Sequence, residues 1–237
     1  MVRELVKTYI KGFDEKLGGG IPERSVVLVV GEPGTMKSSL AFNILFYNAV
    51  EGNVPGLFIS LEQSRESLMD HMSGMNMDIS VCEDYVNILD LGLIRKNLTM
   101  LADQSWMHVF KMYVENLQKS HDFQILVLDS LPVLELLAEF KSPRSELFHF
   151  FEWLRDQEIT TILISEMSQG SPAYAKYDED FLADGIFHVK MEKVDDINIQ
   201  RRLRCVKMRS ANHSPNFFTL LFQDGTFEVT RVIGGSG

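Results

Sequence analysis

The chain has 237 residues and a formal charge of −10, and 45% of its residues are hydrophobic and 24% charged. At this length a folded chain buries about 70% of its unfolded surface, so one ordinary core suffices without disulfide or metal staples. The acidic charge repels phosphate backbones and argues against a general nucleic-acid-binding protein. We find no signal-peptide pattern and no run near the ~20 apolar residues of a membrane span, so we expect a cytoplasmic protein.

Short aliphatic runs alternate with longer amphipathic segments along the chain. Continuous apolar strands separated by helix-length segments predict an α/β fold with a mainly parallel sheet covered by helices on both faces. The predicted strands are "SVVLVV" (25–30), "GLFISL" (56–61), "ILVLD" (125–129), "TTILIS" (160–165) and "GIFHVKM" (185–191).

Helices are predicted over 38–50 and over 64–75, the second with Ser64 as its N-cap. Two later aromatic stripes recur at helical spacing, and such stripes usually pack into the core. They comprise Trp106, Phe110, Tyr113, Val114 and Leu117, and then Leu147, Phe150, Phe151 and Leu154.

The last third of the chain changes to alternating strands. "RRLRCVKMRS", "FFTLLFQDG" and "TFEVTRV" predict antiparallel strands added to the sheet, with "QDG" as a turn between two of them. No internal repeat or linker interrupts the pattern, so we expect one domain over 1–232. We expect the tail over 233–237 to be flexible, because it ends in the Gly/Ser-rich stretch "GGSG".

A phosphate-binding loop is predicted between the first long strand and the first helix. Its spacing matches a P-loop except that Met36 stands where glycine is usual. Successive backbone N–H groups would bind phosphate, Lys37 would neutralise it, and the Ser38 hydroxyl would ligate Mg²⁺. The donor set survives the methionine if the backbone there is near helical. The predicted nucleotide contacts are Gly31, Glu32, Pro33, Gly34, Thr35, Met36, Lys37, Ser38 and Ser39.

Carboxylates end two other predicted strands. Asp129 closes "QILVLDS", where a carboxylate would hold the Mg²⁺ shell opposite the P-loop serine. Glu62 follows "LFISL" and could activate the attacking water, although an exposed helix-entry glutamate would look the same. The stretch "ILISEMSQG" ends in further polar residues that could sense the γ-phosphate, none of which the spacing singles out: Ser165, Glu166, Ser168 and Gln169.

Taken together, these motifs make the chain resemble the KaiC-like branch of the RecA/RadA superfamily, including its single-domain archaeal members. The resemblance runs nearly end to end, from "TYIKGFDEKLGGGIPERSVVLVVGEPGT" through "FISLEQS" to "ILISEMSQGSPAYAKYDEDFLADGIFHV" and "KMRSANH". It implies a RecA-like ATPase that binds Mg²⁺ and ATP.

The segment "KMRSANH" is similar to a family segment whose lysine and arginine reach the nucleotide of a neighbouring subunit. The resemblance therefore implies that Lys207 and Arg209 act in trans, with His213 close to the nucleotide. Without the resemblance, a solvated basic strand would be the simpler interpretation. A site completed in trans implies a homo-oligomeric ring, of six subunits, with ATP between neighbours.

Three residues depart from the family pattern: Met36 in the P-loop, Gln63 where many members have a second glutamate, and Ser210 where glycine often follows the basic pair. They leave open whether the chain hydrolyses ATP slowly or is an ATP-dependent assembly or signalling switch. A recombinase-like DNA-binding ATPase and an autokinase are further alternatives. The acidic loop "SQGSPAYAKYDEDFLADG" disfavours DNA, and no residue stands out as a phosphoryl acceptor.

Overall fold

The central feature of the protein is a mixed sheet with helices on both faces. The structure is a computed structural model that describes residues 4–90, 105–168 and 173–232. Within these ranges, nine strands form one sheet in the order β11-β10-β9-β8-β3-β7-β6-β4-β5, and β1 and β2 pair separately. The strands are β1 Leu5–Val6, β2 Ile21–Pro22, β3 Val26–Gly31, β4 Gly56–Ser60, β5 Val86–Asp90, β6 Ile125–Asp129, β7 Thr160–Glu166, β8 Gly185–Lys193, β9 Ile199–Met208, β10 Phe218–Gln223 and β11 Thr226–Arg231.

The helices that cover the sheet lie between the strands in sequence. They are α1 Lys37–Gly52, α2 Arg65–Ser73, α3 Trp106–His121, α4 Leu131–Leu137, α5 Pro143–Asp156 and the single turn α6 Glu179–Leu182; 3₁₀ turns cover Asp14–Leu17 and Ile79–Val81. Ser64 caps α2 as expected, because its side chain accepts a hydrogen bond from the Ser67 N–H at 3.2 Å.

Two hydrophobic cores sandwich the sheet, which explains the continuous apolar strands. Along β3, Val27 and Val29 face one core, and Val26, Leu28 and Val30 face the other. The first core contains α1 and α2, and the second contains α3, α4 and α5. Both aromatic stripes pack against the second core, as predicted. A strand buried on both faces has no polar side, so it reads as an apolar run.

The α/β fold class is confirmed, and the five predicted parallel strands are found to within two residues of their bounds. Strands β9, β10 and β11 extend the sheet in antiparallel fashion, and Asp224 and Gly225 form the turn between the last two with φ of 51° and 77°. Strand β5 was not predicted. It is a half-buried edge strand, "VNILD", in which Asn87 and the terminal Asp90 interrupt the apolar signal. The tail over 233–237 lies outside the described residues.

Candidate nucleotide-binding site

The predicted phosphate loop connects β3 to α1 at the carboxyl edge of the sheet. Gly31 closes β3 next to β8, and a Cβ atom there would lie 2.1 Å from the carbonyl oxygen of Val189. The strands therefore leave room for glycine alone at this position. At the other end of the loop, the Thr35 hydroxyl donates to the carbonyl oxygen of Glu32 at 2.8 Å and closes the turn.

Met36 precedes the first residue of α1 and has φ of 70° and ψ of 33°. The near-helical backbone on which the donor set was made conditional is not found, because these angles lie in the left-handed region that glycine adopts freely. The Met36 side chain is half-buried and packs against the core beside α1. Burial of the thioether thus offsets part of the backbone cost, while the N–H group remains in the loop.

We expect Met36→Gly to be more stable than Met36→Ala by about 0.5–1 kcal/mol. Both variants lose the thioether packing, but a left-handed backbone costs a residue with a Cβ atom about 1–2 kcal/mol, and the greater unfolded-state freedom of glycine returns about 0.4–1 kcal/mol of that. Urea denaturation of the two variants measures the difference. An alanine variant at least as stable as the glycine variant would contradict the left-handed assignment.

Lys37 is the first residue of α1, and its ammonium group is largely buried at the floor of the loop. It donates to the carbonyl oxygen of Glu32 at 3.1 Å. Burial lowers the pKa of Lys37, and the carboxylates of Glu166, Asp129 and Glu62 oppose that shift. A cation and three carboxylates therefore share one region, which is a charge arrangement suited to a metal-bound anion.

Asp129 ends β6 and lines the same cavity as Ser38. Burial raises the pKa of Asp129 to about 6, with the Ser38 hydroxyl opposing the shift. A buried carboxylate beside a hydroxyl provides the oxygen donors that Mg²⁺ prefers, with phosphate oxygens completing its shell. Within the described residues, no group of three or more His, Cys, Asp or Glu side chains could hold a metal ion on its own.

Glu62 lies two residues beyond β4, next to the end of β6. The strand register places Ser60 opposite Asp129, and the hydroxyl of Ser130 donates a hydrogen bond to Oε1 of Glu62. Ser130 therefore fixes one carboxylate oxygen of Glu62, and no hydrogen bond to the other oxygen is found among the residues that the structure describes. That geometry suits a base that must be oriented toward a single water.

These groups line one cavity of about 310 Å³. The predicted residues that line it are Pro33, Gly34, Met36, Lys37, Ser38, Ser39, Glu62 and Asp129. Three further residues do so without having been singled out from the sequence: His71, Ile164 and Glu166. Glu166 was one of four equivalent polar residues at the end of β7 and just beyond it. Its register opposite Gly31 selects it, while Gln169 lies outside the described residues.

Lys207 and Arg209 do not line this cavity. The Lys207 ammonium donates to the carbonyl oxygen of Asp180 at 2.9 Å, and the Arg209 guanidinium donates to that of Phe181 at 3.1 Å and to Asp184 Oδ1 at 3.0 Å. Burial, followed by the charge of Arg209, lowers the pKa of Lys207. The two cations are thus held by α6 and by the residue that precedes β8.

The segment after the basic pair also departs from regular structure. Ser210 has φ of 64°, so the position where the family often has glycine is left-handed here as well. His213 follows in the connection to β10, half-buried and outside the cavity. Of the three departures from the family pattern, Met36 and Ser210 therefore both impose a side chain on a left-handed backbone.

None of the helices in the described ranges is long and apolar enough to cross a membrane. Known proteins resemble the chain along most of its length. The family model for the KaiC-type ATPase matches residues 6–232. The circadian clock protein KaiC2 of Synechocystis sp. is 25% identical over 228 residues, which span 95% of this chain and 40% of that protein.

Other relatives match along most of their own length. A UPF0273 protein of Thermotoga maritima is 26% identical over 240 residues, 98% of each chain. The crystal structure of a KaiC-like protein from the hyperthermophilic archaeon Pyrococcus horikoshii superposes with a TM-score of 0.82 at 27% identity, covering 96% of this chain and 99% of that one. Because the family model matches nearly the whole chain, the chain belongs to the KaiC family of ATPases, within the RecA-like superfamily.

Proposed function

We propose that the protein binds Mg²⁺-ATP in the cavity at the end of α1 and hydrolyses it slowly at the subunit interfaces of a homo-oligomeric ring of six subunits. One observation carries the proposal: Lys37, Ser38, Asp129 and Glu62 come from three separate segments of the chain and line the same cavity of about 310 Å³. Open α/β sheets bind ligands at this edge, outside the carboxyl ends of their strands.

The roles follow from the position of each group. The loop N–H groups and Lys37 would bind the phosphates, and Ser38 and Asp129 would hold Mg²⁺, which supplies charge neutralisation at the transferred phosphate. Glu62, held by Ser130, would orient the attacking water and accept its proton. Glu166 would add a third carboxylate, so the site favours the metal complex of ATP over the free tetra-anion.

The proposed trans role rests on what the protomer lacks. Apart from Lys37, no Lys or Arg side chain lines the cavity among the described residues. Lys207 and Arg209 are instead anchored to α6 of their own protomer. A cation supplied across an interface stabilises the charge that develops in phosphoryl transfer, and such an interface is heterologous and closes by rotation.

A switch with little hydrolysis is the second candidate, and one observation favours it. Met36 occupies a left-handed position at the mouth of the loop, where the thioether lines the cavity. Its packing could hold the nucleotide in place without favouring turnover. Steady-state phosphate release from the assembled protein separates the two functions, since a switch would show ATP-dependent assembly with no sustained release.

We expect Lys37→Ala to weaken Mg²⁺-ATP binding by about 10- to 150-fold, because a charge-assisted hydrogen bond contributes about 1.5–3 kcal/mol. Isothermal titration measures the affinity, and light scattering after size exclusion, with and without Mg²⁺-ATP, reports assembly in the same samples. Lys11→Ala is the matched control, because Lys11 is 72% exposed and pairs only with Glu228 at 3.6 Å among its ionic contacts in the described residues. Unchanged affinity in the Lys37→Ala protein would contradict the assignment of the cavity.

A further inference from the structure

Asp184 lies between α6 and β8 and directly precedes the strand that pairs with β3. Its side chain is only 17% exposed. Oδ2 of Asp184 accepts a hydrogen bond from the Val26 N–H at 3.0 Å, and the Asp184 N–H donates to the carbonyl oxygen of Val26 at 2.7 Å. These two contacts fasten Asp184 to the first residue of β3, so the sheet fixes the place of its carboxylate.

The same carboxylate holds the guanidinium group of Arg209. Nη1 of Arg209 donates to Oδ1 of Asp184 at 3.0 Å, and Nη2 donates to the carbonyl oxygen of Phe181 at 3.1 Å. The main chain is tied as well, because the Arg209 N–H donates to the carbonyl oxygen of Asp184 at 2.8 Å. Three contacts from one short segment therefore fix the backbone and the head group of a half-exposed arginine.

The anchored guanidinium group retains donors for a further partner. Arginine carries five N–H donors in a planar fork, and the contacts to Asp184 and Phe181 use two of them. No other hydrogen bond from the Arg209 side chain is found in the part of the chain that the structure describes. Arg209 can therefore stay bound to Asp184 while its other donors contact an anion, such as a phosphate group.

A second arginine lies on the far side of the Asp184 carboxylate. Nε of Arg155, on α5, is 3.6 Å from Oδ2 of Asp184, and the Arg155 guanidinium also donates to the carbonyl oxygen of Leu182. Asp184 also acts on the other trans cation: burial and then the charge of Arg209 lower the pKa of Lys207, and the charge of Asp184 opposes that shift. Asp184 thus offsets the repulsion between the two neighbouring cations.

We propose that Asp184 is a positioning residue whose carboxylate orients the guanidinium group of Arg209 toward the nucleotide of the neighbouring subunit. The inference rests on the proposed trans role of Arg209 and adds the group that gives this role its direction. An arginine held at two points has already lost much of its side-chain entropy on folding, so it loses less when it meets the transferred phosphate. A freely moving arginine would have to be ordered at each turnover.

Asp184→Asn tests the proposal in the assembled protein, because it removes the charge and keeps the shape of the side chain. Turnover at saturating Mg²⁺-ATP should fall by about 10- to 100-fold, as expected for a displaced catalytic group, with wild-type nucleotide affinity. Asp178→Asn is the matched control, since Asp178 precedes α6 and pairs with Arg144 at 3.3 Å, and its turnover should match the wild type. Wild-type turnover in Asp184→Asn overturns the proposal.

A double-mutant cycle separates positioning from a general structural effect. In the Arg209→Ala protein, adding Asp184→Asn should lower turnover no further, because the group that Asp184 orients is gone. An equal fall in turnover with and without Arg209 would assign Asp184 a structural role and overturn the proposal. Wild-type turnover in Arg209→Ala alone would instead overturn the trans function on which the proposal rests.

A third measurement requires no change at Asp184. NMR of ¹⁵N-arginine-labelled protein without nucleotide identifies the side-chain signals of Arg209 by their absence from the Arg209→Ala spectrum. Two separate Nη signals are expected, because anchors at Nη1 and Nη2 hinder rotation about the Nε–Cζ bond. A single averaged Nη signal, as in a freely rotating guanidinium group, overturns the proposal.

Discussion

The Glu62→Gln protein is expected to bind Mg²⁺-ATP with wild-type affinity and to lose about 10²- to 10⁴-fold in turnover. A positioned base contributes a factor of this size to a proton transfer, and the glutamine amide cannot accept the proton from water. Binding is retained because the phosphates are expected to contact the loop and Lys37, whereas Glu62 lies at the end of a different strand, held by Ser130.

Steady-state phosphate release and nucleotide titration on the same preparation measure the two effects. Glu66→Gln is the matched control, since Glu66 is an exposed glutamate in the first turn of α2 and does not line the cavity. Undiminished phosphate release from Glu62→Gln would remove Glu62 from the mechanism. Loss of binding together with turnover would assign it a structural role instead.

Lys207→Ala and Arg209→Ala are expected to lower turnover by about 10³-fold or more while each variant still binds Mg²⁺-ATP. Cations that reach the transferred phosphate contribute about 10³- to 10⁵-fold in related phosphoryl transfers, because they stabilise charge that exists only in the transition state. Neither side chain lines the cavity of its own protomer, so their loss should leave the phosphate loop intact.

Lys193→Ala is the control for these variants, because Lys193 also belongs to the β8–β9 hairpin and makes an exposed ion pair with Asp196 at 2.9 Å. Its turnover should match the wild type. Wild-type turnover in Lys207→Ala and Arg209→Ala would contradict the trans role and would support the simpler interpretation of a solvated basic strand. A fall in binding without a fall in turnover at saturation would also contradict a role in the transition state.

The sequence was most informative where one physical constraint dominates. Strands buried on both faces must be apolar throughout, so β3, β6 and β7 were found almost residue by residue. Phosphate binding likewise needs a loop between a strand and a helix followed by Lys37 and Ser38, and that order of residues is visible without a structure.

The other site features depend on strand register, helix packing and backbone conformation, which residue spacing along the chain does not encode. Glu166 was indistinguishable from its polar neighbours until the register of β7 beside β3 placed it at the cavity. His71 gave no signal, because it is an exposed residue on α2 whose position depends on how that helix packs. The left-handed backbone of Met36 could not be predicted, because methionine rarely adopts a positive φ. A glycine at that position would have indicated one.

Mixed oligomers test the central claim, a site completed across an interface, most directly. Glu62→Gln and Lys207→Ala subunits, co-expressed with different tags and purified through both, are each expected to be inactive alone. In a random equal mixture, about a quarter of the interfaces pair an intact Glu62 with an intact Lys207 from the neighbour, so about a quarter of wild-type phosphate release should return. Verified mixed oligomers that remain inactive would contradict the account.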